Sequence, residues 1–389
     1  MSKGWKRGLA VILVVIAIFL IRRKGLGIRI RDKVIDVTQS VSGTAKNITG
    51  DESGDVSSDG YAYSVLTNSQ RTVYKEIDKA VKNHDEMTLL STSDAKLIEK
   101  IYQCVMADNT GYFWVHGYSY TTTSSFLGGT ETKFYPKYLM TKNEAEEKQK
   151  EIDAVASEWL SGISTDTGDY EKSKYVYELL ANNVDYDYTT TGDIKNQTIE
   201  SVFLKKSSVC QGFADATTYL LKKLGVSSCV VIGKAYTGEA HAWNLVRLDG
   251  KYYYLDSTWG NGTYKINTEI KKHINYAYLN SDYDTFSKTH IADDNFAIPK
   301  SNEFIDNYYV KEGLYFPSED RIGEADALRE MWDSGGTECS MRFGTDEAYL
   351  DAFSYLVDQY GLRNTIPEAG NVSYTEDKEN KVLTFVFDR

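Results

Sequence analysis

Cys210, His241 and Asp256 succeed one another along the chain. A thiol, an imidazole and a carboxylate can act as a nucleophile, its base and the group that orients the base. Cys210 stands in Ser208-Val209-Cys210-Gln211-Gly212-Phe213-Ala214, just ahead of apolar residues at Phe213, Ala216, Leu220, Leu221 and Leu224. That spacing predicts a helix beginning near the cysteine, with Gly225 as its C-cap. A sulfur at a helix N-terminus meets the positive end of the macrodipole and unpaired backbone N–H groups, which favour the thiolate.

The imidazole and the carboxylate sit in two strand-like runs, His241 to Leu248 and Lys251 to Asp256, separated by Asp249-Gly250. Asp-Gly between two such runs is a strong signal for a two-residue hairpin turn. Such a turn pairs Leu248 with Lys251, and the same register carried outward sets Trp243 opposite Asp256 and His241 opposite Thr258. His241, Trp243, Tyr254, Asp256 and Thr258 then share one side, with Asp256 diagonal to His241 and within reach of it.

Plainer readings compete at each position. Cysteine is among the most buried residue types, and Cys104, Cys229 and Cys339 lie in apolar patterns that mark them as core. Cys210 differs because Ser, Gln and Gly surround it at a helix entry. His84, His116, His273 and His290 show no comparable partner pattern and read as surface or structural. Asp256 taken alone could cap a turn. One Cys, one His and one Asp are also legitimate zinc ligands, but no further ligand stands at metal spacing, so no metal is expected. There is no phosphate-binding glycine loop or EF-hand pattern, and no cofactor is expected.

Three ordered blocks carry a family likeness. They are Val209-Cys210-Gln211-Gly212-Phe213-Ala214, Gly238-Glu239-Ala240-His241-Ala242-Trp243-Asn244 and Tyr254-Leu255-Asp256-Ser257-Thr258-Trp259. Together they resemble the bacterial transglutaminase-like superfamily, over roughly residues 170 to 262. The resemblance implies a papain-like α+β core, in which a helix bearing the cysteine packs on an antiparallel sheet bearing the histidine and the aspartate. It also implies roles: Cys210 the nucleophile, His241 the general base and acid, Asp256 the orienter. Further upstream, Tyr63 to Thr67 and Gly111 to Trp114 are similar to the lead-in of large clostridial-type surface proteins that carry this domain.

The chemistry so implied is acyl transfer from a protein or peptide amide through a thioester, with the oxyanion held by backbone N–H groups at the helix start. Water as the second nucleophile makes a protease or amidase, and a lysine amine makes a transglutaminase. A papain-like arrangement nominates Gln197 as an oxyanion donor, with a polar loop residue as the plain alternative, and Trp243 and Trp259 beside the triad are either shields of a substrate groove or ordinary aromatic packing. The competing reading, from a different class, is a catalytically silent transglutaminase-like binding or structural surface protein that recruits partners through its tyrosine-rich surface.

The elements that must position this chemistry begin well into the chain. Leu9 to Ile21 is an uninterrupted run of 13 apolar residues, flanked by Lys3, Lys6 and Arg7 on one side and Arg22, Arg23 and Lys24 on the other. It reads as an uncleaved single-pass anchor, with the flanking cations able to snorkel. The protein is therefore expected to be membrane-anchored and extracytoplasmic, in keeping with the likeness to surface proteins. Expected boundaries are 1–25 for the membrane segment, 26–60 for a flexible stalk, 61–165 for an N-terminal α+β domain, 166–300 for the catalytic domain and 301–389 for a small C-terminal α+β domain.

Residues 1–33 hold nine Lys or Arg against Asp32, which leaves 35 basic and 55 acidic side chains in the rest of the chain. So acidic a body excludes a nucleic-acid binder and leaves the basic N-terminal segment as the membrane contact. Four cysteines in 389 residues make no disulfide framework. Oligomeric state is left open.

Overall fold

The computed structural model describes residues 60–124, 129–189, 193–266 and 269–388. The expected membrane segment and nearly all of the expected stalk lie outside them. Among the described residues, no helix is long and apolar enough to cross a membrane.

The fold is mixed α+β. Helices α1 (Tyr61–Ser64), α2 (Asn68–Asn83) and α3 (Ala95–Asp108) precede a sheet of order β1-β3-β2 (β1 Thr88–Leu90, β2 Val115–Ser124, β3 Thr130–Tyr138). Then come α4 (Lys142–Leu160), α5 (Asp169–Asn183), the short parallel pair β4 (Asp185–Tyr186) and β5 (Ser207–Ser208), and α6 (Cys210–Lys223). Capping boxes start α2 and α4: the Thr67 and Thr141 side chains accept from the backbone of Gln70 and Glu144, whose own side chains accept from the capping residues in return.

The central sheet is antiparallel, with order β11-β6-β7-β8 (β6 Ser227–Ala235, β7 Ala240–Leu248, β8 Lys251–Leu255, β11 His290–Ala292). Alternation along its strands decides the layers. Cys229, Val231, Trp243, Leu245 and Tyr254 face one core with Ala62, Val73, Ile77, Ile98, Ile101 and Val105 of α1 to α3. Val246, Leu248, Tyr253 and Leu255 face another, with Phe213, Leu220 and Leu221 of α6 and Ile152, Val176 and Leu180 of α4 and α5. A sheet covered on both faces reads as nearly continuous apolar sequence, as these strands do. The expected boundary at 165/166 therefore does not separate two cores, because both cores draw on residues from either side of it.

The expected turn forms. Asp249 and Gly250 both take positive φ, 46° and 84°, as a type I′ hairpin requires. Leu248 pairs with Lys251, and the register runs to Asn244 opposite Leu255. There the expectation fails: the chain leaves the ladder at Asp256, which caps the short helix α7 (Ser257–Gly260), so no strand pair places His241 opposite Thr258.

Past α7 come the hairpin of β9 (Asn261–Ile266) and β10 (Glu269–Ile274), then α8 (Tyr283–Phe286) before β11 and α9 (Tyr308–Lys311) after it. A third core fills the C-terminal unit, where α10 (Arg321–Asp333), α11 (Asp346–Phe353) and α12 (Gly361–Thr365) pack with a sheet of order β12-β13-β15-β14 (β12 Tyr315–Phe316, β13 Glu338–Phe343, β14 Val372–Asp377, β15 Val382–Phe387).

Candidate active site

One end of the central sheet gathers the chemistry. In antiparallel strands, the end of β6, the start of β7, the end of β8 and the start of β11 are neighbours; His241 faces Gly233 and His290 faces Ala235. The N-terminus of α6 reaches the same end, and buried polar ties fix it there. Asn244 of β7 donates to the Ala214 carbonyl at 2.8 Å and to the Thr218 hydroxyl at 2.9 Å. Thr217 shares a hydrogen bond with Ser257 at 2.9 Å, which links α6 to the residue after Asp256. At its far end α6 closes as a Schellman motif on Gly225 (φ 82°), with Val226 N–H donating to the Leu221 carbonyl at 2.9 Å and Gly225 N–H to that of Lys222 at 3.0 Å.

Asp256 is 1% exposed, and four donors surround its carboxylate. Oδ1 accepts from the backbone N–H groups of Thr258 and Trp259 at 2.8 and 3.2 Å. Oδ2 lies 2.7 Å from His241 Nε2 and 3.1 Å from His290 Nε2. A carboxylate offers about four acceptor positions, so this one is full. Burial alone would raise its pKa, but the adjacent His241, in charge and in hydrogen bonding, and the His290 donor hold Asp256 well below the usual carboxylate range.

His241, 6% exposed, responds in the opposite sense. Burial disfavours its charged form, yet the Asp256 charge and hydrogen bond, joined by a hydrogen bond to Cys210, push it up to about 10. With Nε2 committed to Asp256, Nδ1 is the nitrogen left for the thiol. His290, driven down by burial against the pull of Asp256, is the neutral member, and Thr289 Oγ1 meets its Nδ1 at 2.8 Å. Cys210 is half-buried, whereas His241 and Asp256 are buried. Val209 precedes it at the N-cap position and, being apolar, supplies no side-chain hydrogen bond to the first turn of α6.

The structure thus brings Cys210, His241 and Asp256 together, and each of the other three expected residues has a definite place. Gln197, 7% exposed, ends a helical turn whose neighbour Asn196 accepts from Val209 N–H at 3.2 Å and from Ser208 Oγ at 2.9 Å, beside the cysteine. Trp259 is partly buried with its ring 5.3 Å from that of His241. Trp243 requires a correction: at 1% exposure it backs the imidazoles from within the core and offers no wall to a groove.

A second correction concerns His290. Read as surface or structural, it is instead 3% exposed with its ring stacked on Phe286 at 3.9 Å, and it touches Asp256 directly. No local signal marks it, since it arrives on an edge strand long after the three sequence blocks. Among the described residues, His241, Asp256 and His290 also form the one group with the donor types and proximity of a metal site. Their short contacts are those of N–H groups donating to a carboxylate, and a cation there would displace both protons.

Residues 155–257 match the model of the transglutaminase-like superfamily, a span that contains Cys210, His241 and Asp256. Over this segment the core is transglutaminase-like. Kyphoscoliosis peptidase of Mus musculus is 24% identical over 139 residues, covering 32% of this chain and 21% of its own length. That of Homo sapiens is 25% identical over 183 residues, covering 42% and 27%. The chain therefore spans about a quarter of these curated relatives. A solved structure described as a TGase aligns at 17% identity with a TM-score of 0.28, covering 40% of this chain and 47% of that one.

Proposed function

We propose that the protein is a cysteine-dependent enzyme that cleaves or transfers the acyl group of protein or peptide amides through a thioester on Cys210. The observation that carries the reading is the continuous chain from Asp256 through His241, 2.7 Å away, to Cys210 at the start of α6. An imidazolium beside Cys210 favours sulfur attack as thiolate on the substrate carbonyl. The developing oxyanion is taken up by N–H groups of the first turn of α6, with the Gln197 amide as the side-chain candidate. His241 then returns its proton to the leaving amine as the C–N bond breaks and the thioester forms. Water, deprotonated by His241, releases the acid. That the curated relatives are named peptidases favours water over a lysine amine as this second nucleophile. The basic and apolar N-terminal segment is proposed as the tether of an extracytoplasmic enzyme.

Two measurements test this. Alkylation of Cys210 is expected to stay fast below pH ~8, where a free thiol is mostly protonated, and to lose that advantage in His241→Ala. Mass spectrometry of protein quenched during turnover of a peptide library is expected to find an acyl adduct on Cys210, with peptide release outpacing incorporation of a labelled amine. Simple-thiol alkylation in both proteins, with no adduct, would leave the silent binding scaffold as the correct reading.

A further inference from the structure

His290 is the buried titratable group that the mechanism above does not use. Its side chain is wholly enclosed, between Phe286 at 3.9 Å, Trp259 at 4.6 Å, Trp243 at 5.0 Å and Tyr278 at 5.7 Å between ring centroids. Enclosing an imidazole so completely costs its hydration, and the return is visible at its two nitrogens. Nδ1 meets the Thr289 hydroxyl at 2.8 Å and Nε2 meets Asp256 Oδ2 at 3.1 Å.

We propose that His290 is a positioning residue for the acyl-transfer set: its Nε2–H occupies the last acceptor position of Asp256 and so fixes the carboxylate in the plane that receives His241. The inference rests on the reading of Cys210, His241 and Asp256 as the catalytic set. Three donors already hold Asp256, yet only His241 and His290 share Oδ2. Without His290 the carboxylate is free to rotate about the axis set by its two backbone bonds, and His241 loses a fixed acceptor. His290 is held in turn by the pairing of β11 with β6, His290 opposite Ala235, and Tyr236 N–H donates to the Thr289 carbonyl at 2.8 Å. The titratable neighbours of the pair are His241, Tyr278, Tyr177 and Tyr186, and the Asp256 charge disfavours ionisation of all three hydroxyls.

The test follows Asp256 itself, so that it does not depend on turnover. The carboxyl ¹³C resonance of Asp256 is titrated in Cys210→Ala protein, alone and combined with His290→Phe or His290→Gln. Phe keeps the stack and removes the donor, whereas Gln can present an N–H near the Nε2 position. The Phe variant is expected to titrate about one to two pH units higher, the worth of one hydrogen bond to a charged group, and the Gln variant close to the His290 protein. In proteins that retain Cys210, the acid limb of the alkylation profile should move the same way, with Gln rescuing it. An unmoved Asp256 in the Phe variant overturns the proposal, and so does an equal rise in both, because the ring and not its N–H would then matter. His290→Met replaces Phe if the latter does not fold. Should wild type prove inert as an enzyme while Asp256 shifts as expected, it is the proposed function that fails, and what stands is the bond by which His290 holds the Asp256 carboxylate.

Discussion

Replacing Asp256 with Asn changes one atom type, and the structure says what that atom does. The amide oxygen can keep both backbone bonds, from Thr258 at 2.8 Å and Trp259 at 3.2 Å, so α7 keeps its cap. The amide nitrogen then stands where Oδ2 was, aiming hydrogens at two imidazoles 2.7 and 3.1 Å away. His241 must offer a lone pair on Nε2 and move its proton to Nδ1, which faces the thiol, so it can no longer take a proton from sulfur. The charge effect adds to this. Against the burial that disfavours its charged form, Asp256 is the larger of the two partners that bring His241 up to about 10, against ~6.5 for a free imidazole, and in the variant only Cys210 is left to oppose that burial. The imidazolium form then loses its main support. A carboxylate-to-amide change of this kind in a Ser-His-Asp set costs about 10⁴ in kcat. Single-turnover acylation by an activated ester, with circular dichroism to confirm the fold, should therefore drop by about 10³ to 10⁴ in Asp256→Asn. Retention of the rate within tenfold would refute the idea that the carboxylate orients and charges His241.

Other outcomes follow from the same geometry. Because the folded pKa of His241 lies above its unfolded value, its contribution to stability is full below pH ~6.5 and is lost as pH rises towards 10. Urea unfolding of wild type against His241→Gln should show a gap of a few kcal/mol at pH 6 that closes by pH 10; a gap independent of pH would count against the buried ion pair. Gly233→Ala places a methyl against the Ile291 carbonyl, 2.7 Å from the Trp243 ring and 2.8 Å from Ala292 Cα. It should part β11 from β6 and cost about 1–3 kcal/mol in thermal unfolding, with acylation falling more than stability alone explains. A well-folded variant of unchanged rate would show that His290 does not depend on that pairing.

The hairpin was legible because Asp-Gly dictates a turn geometry, and the turn dictates which residues face each other as far as Asn244 and Leu255. The cysteine helix was legible for a similar reason, its apolar spacing and Gly225 being local signals. Sequence reasoning missed where the ladder stops, since Asp256 trades strand pairing for capping α7 and only the folded chain sets that balance. His290 was out of reach altogether: an edge strand of three residues has no periodicity to read, and its partner lies 34 positions earlier.

The sheet that carries His241 leans on helices that come long before the family-matched span. Trimmed to 155–257, the chain would leave Trp243, Leu245 and Tyr254 bare along one whole side, a sticky surface inviting self-association. Whatever regulates access to the thiol must act on a body whose first hundred described positions are as much its chassis as the motif-bearing strands themselves.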